Sequence, residues 1–132
     1  MTKKILIVVA SYYKNISDGL LASAKKELPK HVSLITVPGV FEIPVTIAKN
    51  IKKYDGFIAL GCVIKGETPH FDFISKSTFD AIMNLSINYK KPIGNGIITC
   101  LNKEQAFVRR KKGHEAAAAL LSVLDPVKTS AK

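Results

Sequence analysis

GFIALGCVIKGETPH, residues 56–70, decides the fold class of this chain of 132 residues. Residues 56–64 are almost entirely apolar, a pattern typical of a central parallel strand that is buried on both faces. Thr68 and Pro69 follow, and these residue types favour the N-cap and the first turn of a helix. The segment therefore predicts a buried strand over 56–64 that leads through a short loop into a long helix ending near Tyr89.

Strand and helix patterns alternate in the same way on both sides of this segment. Apolar positions recur at helical spacing in three further stretches, and Asn102 with Gln105 resembles a capping box before the last of them. An alternating order predicts a three-layer α/β fold, with a four-stranded parallel sheet and helices on both faces. No linker or repeat interrupts the units, so we expect a single domain over residues 1–132. Predicted strands cover residues 4–10, 32–37 and 93–101, and predicted helices cover residues 16–28, 42–53 and 103–124.

The composition argues against membrane insertion and export. Hydrophobic residues make up 47% of the chain, but no apolar run approaches the roughly 18 residues of a membrane span. The apolar stretch near the start is short and lacks a cleavage site, which indicates a strand and not a signal peptide. Cys62 and Cys100 lie in apolar stretches and are expected to be buried, reduced thiols. We therefore expect a cytoplasmic protein with no membrane partner.

The formal net charge of +10 indicates anionic partners. The lysines are scattered in pairs, mostly at the ends of predicted elements, where cations favour helix C-termini and solvent. No zinc-finger, basic-zipper or ribonucleoprotein motif accompanies them. The distribution favours phosphorylated metabolites, and no nucleic-acid partner is expected.

Three loops are predicted to meet beyond the carboxyl ends of the strands, where ligands bind in open parallel sheets. They cover residues 11–15, 37–42 and 65–70. In the last loop, Gly66 allows a ligand to approach the backbone and the helix N-terminus offers unpaired amides, which suits a phosphate. His70, in the first helical turn, is placed to accept and pass on protons. An ordinary capped turn beside an exposed histidine has the same residues, so the loop by itself leaves both interpretations open.

Other candidate residues are weaker when each is taken singly. Glu42 either accepts hydrogen bonds from ligand hydroxyls or complements the dipole of its own helix. Tyr12 either stacks on a planar ring or packs at an interface. Arg109 either binds a phosphate or belongs to a solvated basic face. No histidine and cysteine spacing in the chain predicts a metal site.

Together these segments resemble the lumazine synthase family, whose motifs occur in the same order over nearly the whole chain. The resemblance implies a flavodoxin-like fold and an enzyme of riboflavin biosynthesis that needs no cofactor or metal. It implies condensation of 5-amino-6-(D-ribitylamino)uracil with 3,4-dihydroxy-2-butanone 4-phosphate to give 6,7-dimethyl-8-ribityllumazine, phosphate and water, and a functional link to riboflavin synthase. The matching segments are SY at 11–12, VPGVFEIP at 37–44, GCVIKGETPHFD at 61–72, GIIT at 96–99, EQA at 104–106 and KGHEAA at 112–117.

The resemblance also implies which residues hold the uracil substrate. An aromatic ring stacks on the pyrimidine, one loop holds the ribityl chain, and a strand end reads the pyrimidine edge. By position these roles fall to Tyr12 for the stacking ring, to Val40, Phe41 and Glu42 for the ribityl chain, and to Cys62, Val63 and Ile64 for the pyrimidine edge.

The remaining implied roles concern the phosphate and the proton transfer. Backbone amides at Glu67 and Thr68 match the phosphate seat, and the Glu67 carboxylate itself would repel phosphate. Arg109 matches a phosphate-binding arginine, and Lys112 matches a basic ligand contact. His70 matches the residue that transfers protons.

Three departures from the family accompany the match. Tyr13 stands where the usual residue is asparagine, and Asn95 stands where many members have a ring-contacting phenylalanine. The chain also lacks several residues between Arg109 and Lys112, which leaves the register of Lys112 open. In the family, the positions of Asn95, Arg109 and Lys112 are supplied by a neighbouring subunit, so the resemblance implies a homo-oligomer with shared sites.

The resemblance further implies pentamers, which some members build into decamers or icosahedral shells. Shell-forming members carry an added N-terminal strand and a kinked linker in the last helix. Here the first predicted strand begins at about residue 4, and the stretch 109–113 is short. We therefore expect the last helix to continue, weakened only by Gly113 by about 1 kcal/mol relative to alanine, and the protein to form an isolated pentamer.

Three alternative functions remain after this comparison. One is a lumazine-synthase-like riboflavin synthase, which dismutates two lumazines on the same fold. Another is a lumazine- or flavin-binding module without turnover, although His70, Arg109 and the phosphate loop argue against such a loss. The third is a basic nucleic-acid binder, whose affinity for arbitrary DNA would depend strongly on salt.

Overall fold

Four parallel strands form one sheet at the centre of the computed structural model, which describes residues 3–127. The sheet order is β2-β1-β3-β4, and each neighbouring pair runs parallel. This order confirms the predicted α/β class and matches the start of the flavodoxin-like arrangement. The strands are β1 (Ile5–Ala10), β2 (Ser33–Val37), β3 (Gly56–Ile64) and β4 (Ile93–Cys100).

Helices cover both faces of the sheet and make three layers. Alternate residues of β1 point to opposite faces, so Ile7 packs in one core cluster and Val8 in the other. Both residues are fully buried, as expected for an interior strand of a parallel sheet. One face carries α1 (Lys14–Lys25), α4 (Lys103–Val108) and α5 (Gly113–Leu124), and the other carries α2 (Ile43–Asn50) and α3 (His70–Tyr89).

The segment that decided the fold class adopts the predicted conformation. Strand β3 has the predicted bounds, and α3 ends at Tyr89 as predicted. Helix α3 begins at His70, and the Thr68 hydroxyl oxygen accepts a hydrogen bond from the His70 N–H at 3.4 Å. The prediction of Thr68 as the N-cap and Pro69 as the first helical residue was wrong by one position, because Pro69 is the N-cap of α3 and has no side-chain donor or acceptor.

Two predicted helices have different bounds in the structure. Helix α1 begins two residues earlier than predicted and ends at Lys25, three residues earlier. The second predicted helix is divided into a short 3₁₀ turn, Val40–Glu42, and α2. The turn forms because the Glu42 N–H donates to the Gly39 carbonyl while the Glu42 carboxylate accepts from the Gly39 N–H, which tightens the chain before α2 begins.

The prediction of one continuous last helix was wrong. Helix α4 ends at Val108, four residues of turn follow, and α5 begins at Gly113. A Cβ atom at Gly113 would lie 2.0 Å from the Leu20 carbonyl oxygen, so α5 begins in direct contact with the backbone of α1. The turn redirects the chain to make that contact, and Gly113 is a packing residue instead of a weak point in a helix.

The Asn102 cap is confirmed, since its side-chain oxygen accepts a hydrogen bond from the Gln105 N–H at 2.8 Å.

Helices in the described range are either too short or too polar to traverse a lipid bilayer.

Candidate active site

A cavity of about 330 Å³ opens at the carboxyl end of the sheet, where the sequence predicted a site. Its walls come from the ends of β1 and β3, the loop after β2 and the start of α3. These segments meet because the carboxyl ends of parallel strands share one edge of the sheet. The lining residues are Tyr12, Tyr13, Gly39, Val40, Phe41, Cys62, Val63, Ile64, His70 and Ile74.

Two adjacent tyrosines form the aromatic wall of this cavity. Their ring centroids are 4.9 Å apart and their planes meet at 84°, an edge-to-face contact. Tyr13 packs against the core. Its partial burial is the largest cause that raises its pKa, and the nearby Tyr12 and Cys62 raise this pKa further. Tyr12 is 76% exposed. The contact with Tyr13 holds the Tyr12 ring in place while most of the ring stays open to a planar ligand.

The loop before α2 turns Phe41 towards the cavity. Glu42 Oε1 accepts a hydrogen bond from the Gly39 N–H at 3.1 Å, and the Val40 side chain is buried beneath the loop. Phe41 is left 64% exposed at the cavity wall. Glu42 does not line this cavity, but it borders the groove between α2 and α3. Its Oε2 atom makes no hydrogen bond within residues 3–127, so the carboxylate caps the loop and retains a free acceptor.

The last residues of β3 form the floor of the cavity. Cys62 pairs in register with Ile98 of β4, so Cys100 lies two positions further along β4 on the same face. Burial, and then the neighbouring Cys100 thiol, raises the pKa of Cys62 to about 12. Cys62 is therefore a neutral thiol at physiological pH, able to take part in hydrogen bonds but not to act as a nucleophile. Both cysteines are free and buried, as predicted.

The loop between β3 and α3 provides an open backbone surface beside the cavity. Residues 65–70 are exposed, and the backbone N–H groups of residues 66–68 donate no hydrogen bond within residues 3–127. Unpaired amides at the start of the 20-residue helix α3 suit an anion, because the helix dipole adds to their positive charge. His70 lines the cavity immediately after this loop. A backbone stretch suited to an anion therefore directly precedes a proton-transfer candidate, although residues 66–68 themselves do not line the cavity.

This arrangement agrees with comparison to known proteins. The family model for 6,7-dimethyl-8-ribityllumazine synthase matches residues 2–128. The chain belongs to the lumazine synthase family.

Curated relatives match over most of their own length. The 6,7-dimethyl-8-ribityllumazine synthase of Bartonella tribocorum is 45% identical, covering 94% of this chain and 91% of the relative. The enzyme of that name from Agrobacterium fabrum is 43% identical, covering 92% of this chain and 92% of the relative. 6,7-Dimethyl-8-ribityllumazine synthase 1 of Rhodopseudomonas palustris is 44% identical, covering 92% of this chain and 83% of the relative. The first alignment spans 137 positions, more than the 132 residues of this chain, so that relative contains residues that this chain lacks.

Asn95, a predicted site residue, lies away from the cavity of its own chain. It is exposed on β4, which forms one edge of the sheet. Its Oδ1 atom accepts a hydrogen bond from the Ile97 N–H at 3.0 Å.

Arg109 lies behind the floor of the cavity and does not line it. The Arg109 Nη1 atom is 3.5 Å from the Thr99 carbonyl oxygen and 3.9 Å from Cys100 Sγ. The side chain is therefore held in the turn after α4 by the end of β4. A guanidinium has five N–H donors, so these contacts leave others free to bind an anion.

Lys112 also lies outside the cavity of its own chain. Its ammonium nitrogen is 3.8 Å from the Glu115 carboxylate, and both side chains are more than half exposed. Such an exposed pair contributes little to stability, typically under about 1 kcal/mol. Lys112 is thus held near the start of α5 only loosely, in contrast to Arg109.

Sequence reasoning did not include three residues of the cavity among its site residues. Ile74 follows His70 by four positions and therefore lies on the same side of α3, a spacing that could have predicted it. Tyr13 directly follows Tyr12, and the two tyrosines share a strand-end position that suits a stacking ring, but only Tyr12 was assigned to the site. Gly39 lines the cavity through its backbone, and a backbone contribution leaves no side-chain signal in a sequence.

Within residues 3–127, no group of three or more histidine, cysteine or acidic side chains is arranged to hold a metal ion.

Proposed function

We propose that this chain condenses 5-amino-6-(D-ribitylamino)uracil with 3,4-dihydroxy-2-butanone 4-phosphate, giving 6,7-dimethyl-8-ribityllumazine, phosphate and water. The observation that carries the proposal is the composition of one cavity. A free aromatic ring, a hydrogen-bonding strand end and a histidine surround the same space, beside a row of unpaired amides. A cavity of about 330 Å³ also falls in the size range of small-molecule sites.

The uracil substrate is proposed to lie between the tyrosine wall and the floor. Tyr12 stacks on the pyrimidine, because its ring is exposed and held from behind. The strand end Cys62–Ile64 bonds to the edge of the ring, with Cys62 acting as a neutral thiol. The ribityl chain runs along the loop at Val40 and Phe41, towards the free oxygen of Glu42.

The phosphate is proposed to bind the open amides of residues 66–68, so that Glu67 and Thr68 contribute backbone and not side-chain contacts. Arg109 and Lys112 would complete that site from a neighbouring copy of the chain, as would Asn95. This assignment is supported by their positions outside the cavity of their own chain.

The chemistry requires positioning and proton transfer more than any reactive side chain. The 5-amino group of the uracil adds to the ketone and loses water to form an imine. A proton leaves the neighbouring carbon C3 and the phosphate departs from C4, and the resulting enol takes up a proton at C4 to become a methyl ketone. The ribityl-bearing nitrogen then attacks that ketone carbon and closes the ring with loss of water. His70 is proposed to move the protons in these steps, because its side chain lies beside the phosphate seat.

The test supplies both substrates to the purified protein and follows the absorbance of the lumazine. Lumazine formation that requires both substrates is the expected result. Riboflavin formation from lumazine alone would instead assign the chain to the dismutating enzymes on this fold. Tight lumazine binding without turnover would make it a binding module.

Replacing Arg109 by alanine is expected to raise the KM for the phosphorylated butanone with little change for the uracil. A charge-assisted contact of this kind contributes about 1.5–3 kcal/mol, or roughly 10- to 100-fold. Arg110→Ala is the matched control, because the Arg110 guanidinium lies 3.7 Å from the centre of the Phe107 ring and bonds to the Phe107 carbonyl oxygen. An equal loss of affinity for both substrates would show that Arg109 does not bind the phosphate and only contributes to the solvated surface.

The active form is proposed to be a homopentamer with sites shared between neighbouring subunits. The exposed side of α3 supports this proposal, because only Thr78 and Ile82 of its 20 residues are buried. Phe73, Met83 and Ile87 are each 60% or more exposed along it. An apolar helix face of this extent is unusual on a free monomer and favours burial against another subunit.

Ile87→Asp is expected to reduce the mass measured by light scattering from about five times 14.4 kDa towards that of one chain, with loss of activity. A carboxylate buried in an apolar interface lacks a partner, which opposes assembly. Val123→Asp is the control, because Val123 is exposed on α5, away from α3. A monomeric wild-type protein, or equal effects of both variants, would contradict the assignment of α3 to the interface.

The same proposal covers the location and the context of the reaction. All 132 residues act as one domain in the cytoplasm, where buried free thiols such as Cys62 and Cys100 stay reduced. The lumazine product would be consumed by riboflavin synthase, which provides a functional link without requiring a stable complex. Neither a metal nor a cofactor enters any proposed step.

A further inference from the structure

The end of the sheet opposite the candidate active site carries most of the lysine pairs. Each connection from a helix to the next strand crosses this end, because all the strands are parallel. We call this surface the basic face. It consists of Lys3, Lys4, Lys25, Lys26, Lys30, His31, Lys52, Lys53, Lys90 and Lys91.

Little negative charge balances the basic face. Three carboxylates lie at the same end of the sheet, on Glu27, Asp55 and Asp125, against nine lysines, and Asp55 Oδ2 also accepts a hydrogen bond from the backbone N–H of Lys4 at 2.7 Å. The ion pairs among residues 3–127 involve Lys14, Lys76 and Lys112, all outside the basic face. The positive potential of this surface is therefore largely uncompensated by the chain itself.

Capping of helix ends explains only a small part of this charge. Lysines at a helix C-terminus can donate to its free carbonyl oxygens. Within residues 3–127, Lys91 is the only lysine of the basic face whose ammonium group bonds to another residue, the Ile51 carbonyl oxygen. The remaining ammonium groups of the basic face are available to a ligand.

A cavity of about 680 Å³ opens in the basic face, about twice the volume of the candidate active-site cavity. Three lysines, Lys3, Lys4 and Lys53, contribute to its wall. Lys3 also lines a second cavity of about 310 Å³, together with Lys90 and Lys91. The larger cavity is lined by Lys3, Lys4, Ile5, His31, Ser33, Lys53 and Tyr54.

We propose that the larger cavity binds an oligophosphate, a ligand with two or more linked phosphate groups. Several ammonium groups around one concave space suit several anionic groups in a row better than a single anion, because lysine acts as a point charge for each. The hydroxyl of Ser33 adds a neutral donor, and the Tyr54 ring provides an apolar wall. The ligand is either an inorganic oligophosphate or a nucleoside polyphosphate, which share this chemistry. The site lies at the opposite end of the sheet from the cavity containing His70, so its occupancy is separate from the condensation.

Calorimetric titration with tripolyphosphate, ATP and orthophosphate at low ionic strength tests the proposal. The double variant Lys4→Glu/Lys53→Glu is compared with Lys103→Glu/Lys111→Glu, which changes the net charge equally at the other end of the sheet. We expect tripolyphosphate to bind the wild type at least 10-fold more tightly than orthophosphate, because linked phosphates engage several cations at once. We expect Lys4→Glu/Lys53→Glu to lose at least about 10-fold in tripolyphosphate affinity, and the control to lose about 3-fold or less. Lumazine-forming activity should be the same in both variants, which separates this site from the phosphate seat.

The two sources of the ligand give different results. Equal affinity for tripolyphosphate and ATP supports the inorganic source, whereas tighter ATP binding that Tyr54→Leu abolishes supports the nucleotide source. The proposal would be overturned if both double variants lost the same fraction of their tripolyphosphate affinity, or if orthophosphate bound as tightly as tripolyphosphate. A random oligonucleotide that binds more tightly than tripolyphosphate and weakens equally in both variants would indicate a general polyanion surface, and the cavity assignment would be wrong.

Discussion

Gly113→Ala is expected to lower the melting temperature by about 5 °C, the largest stability change that we predict for a single methyl group. The added Cβ would lie 2.0 Å from the Leu20 carbonyl oxygen and 2.9 Å from its carbonyl carbon, both backbone atoms of α1. Backbone cannot swing aside as a side chain can, so α1 and α5 must separate. The cost, about 2–3 kcal/mol for an overpacked core, exceeds the roughly 1 kcal/mol that alanine gains over glycine in a helix.

Gly66→Ala provides the control for this experiment. No atom lies within 4 Å of a Cβ atom built at Gly66, so its melting temperature should change little. Both variants are melted at the same protein concentration, because dissociation of an oligomer makes the melting temperature depend on concentration. A Gly113→Ala protein as stable as the wild type would show that α5 can shift away from α1 at no cost.

His70→Ala is expected to reduce turnover by between about 10-fold and 10⁴-fold while leaving the fold intact. The residue is exposed at the first position of α3, where its side chain supports no core packing. The loss should appear mainly in kcat, since a proton-transfer group acts more in the transition state than in binding. Steady-state kinetics with both substrates, together with a melting curve, measures the two effects separately.

His114→Ala is the matched histidine variant. His114 is exposed on α5, with its Nδ1 atom 2.8 Å from the Lys111 carbonyl oxygen, and it does not line the cavity. Its removal should leave turnover close to the wild-type rate. A purified His70→Ala protein that turns over at the wild-type rate would exclude His70 from proton transfer.

The sequence predicted the layers and the position of the cavity because those depend on local patterns. The apolar run of β3 indicates that this strand is buried on both faces, and the residue type of Thr68 indicates that a helix begins close by. The loops that contain Tyr12, Phe41 and His70 follow from the rule that strand ends of one parallel sheet meet, whereas Cys62 was predicted only from the family resemblance. None of these inferences requires knowing which distant segments touch.

The break between α4 and α5 could not be predicted in the same way. Its cause is the contact of Gly113 with Leu20, more than 90 residues away, and helical spacing within residues 103–124 carries no trace of it. From sequence alone, a glycine within a helical pattern indicates a less stable helix. The Glu42 hydrogen bond to Gly39 is similar, because the residue type predicts an acceptor but not which donor it meets.

The break also bears on assembly. An uninterrupted last helix was one of the arguments for an isolated pentamer, and that argument no longer holds. The proposal that the chain forms an oligomer is supported by the exposed apolar side of α3, which is independent of the last helix, whereas the number of five subunits is implied only by the family resemblance. Light scattering of the wild-type protein therefore measures the size of the complete assembly as well as the role of α3.

The turn between α4 and α5 is fastened at both ends by contacts that do not involve its middle. Arg110 packs against Gly19 and Phe107 before Lys111, and Gly113 locks onto α1 just after Lys112. Extra residues inserted between Lys111 and Lys112 would loop into solvent without moving either anchor. Loop closure becomes costlier by only about 0.6 kcal/mol for each doubling of length. This position is therefore a natural place for length variation among homologues, and a suitable point at which to graft a foreign peptide onto the surface of the protein.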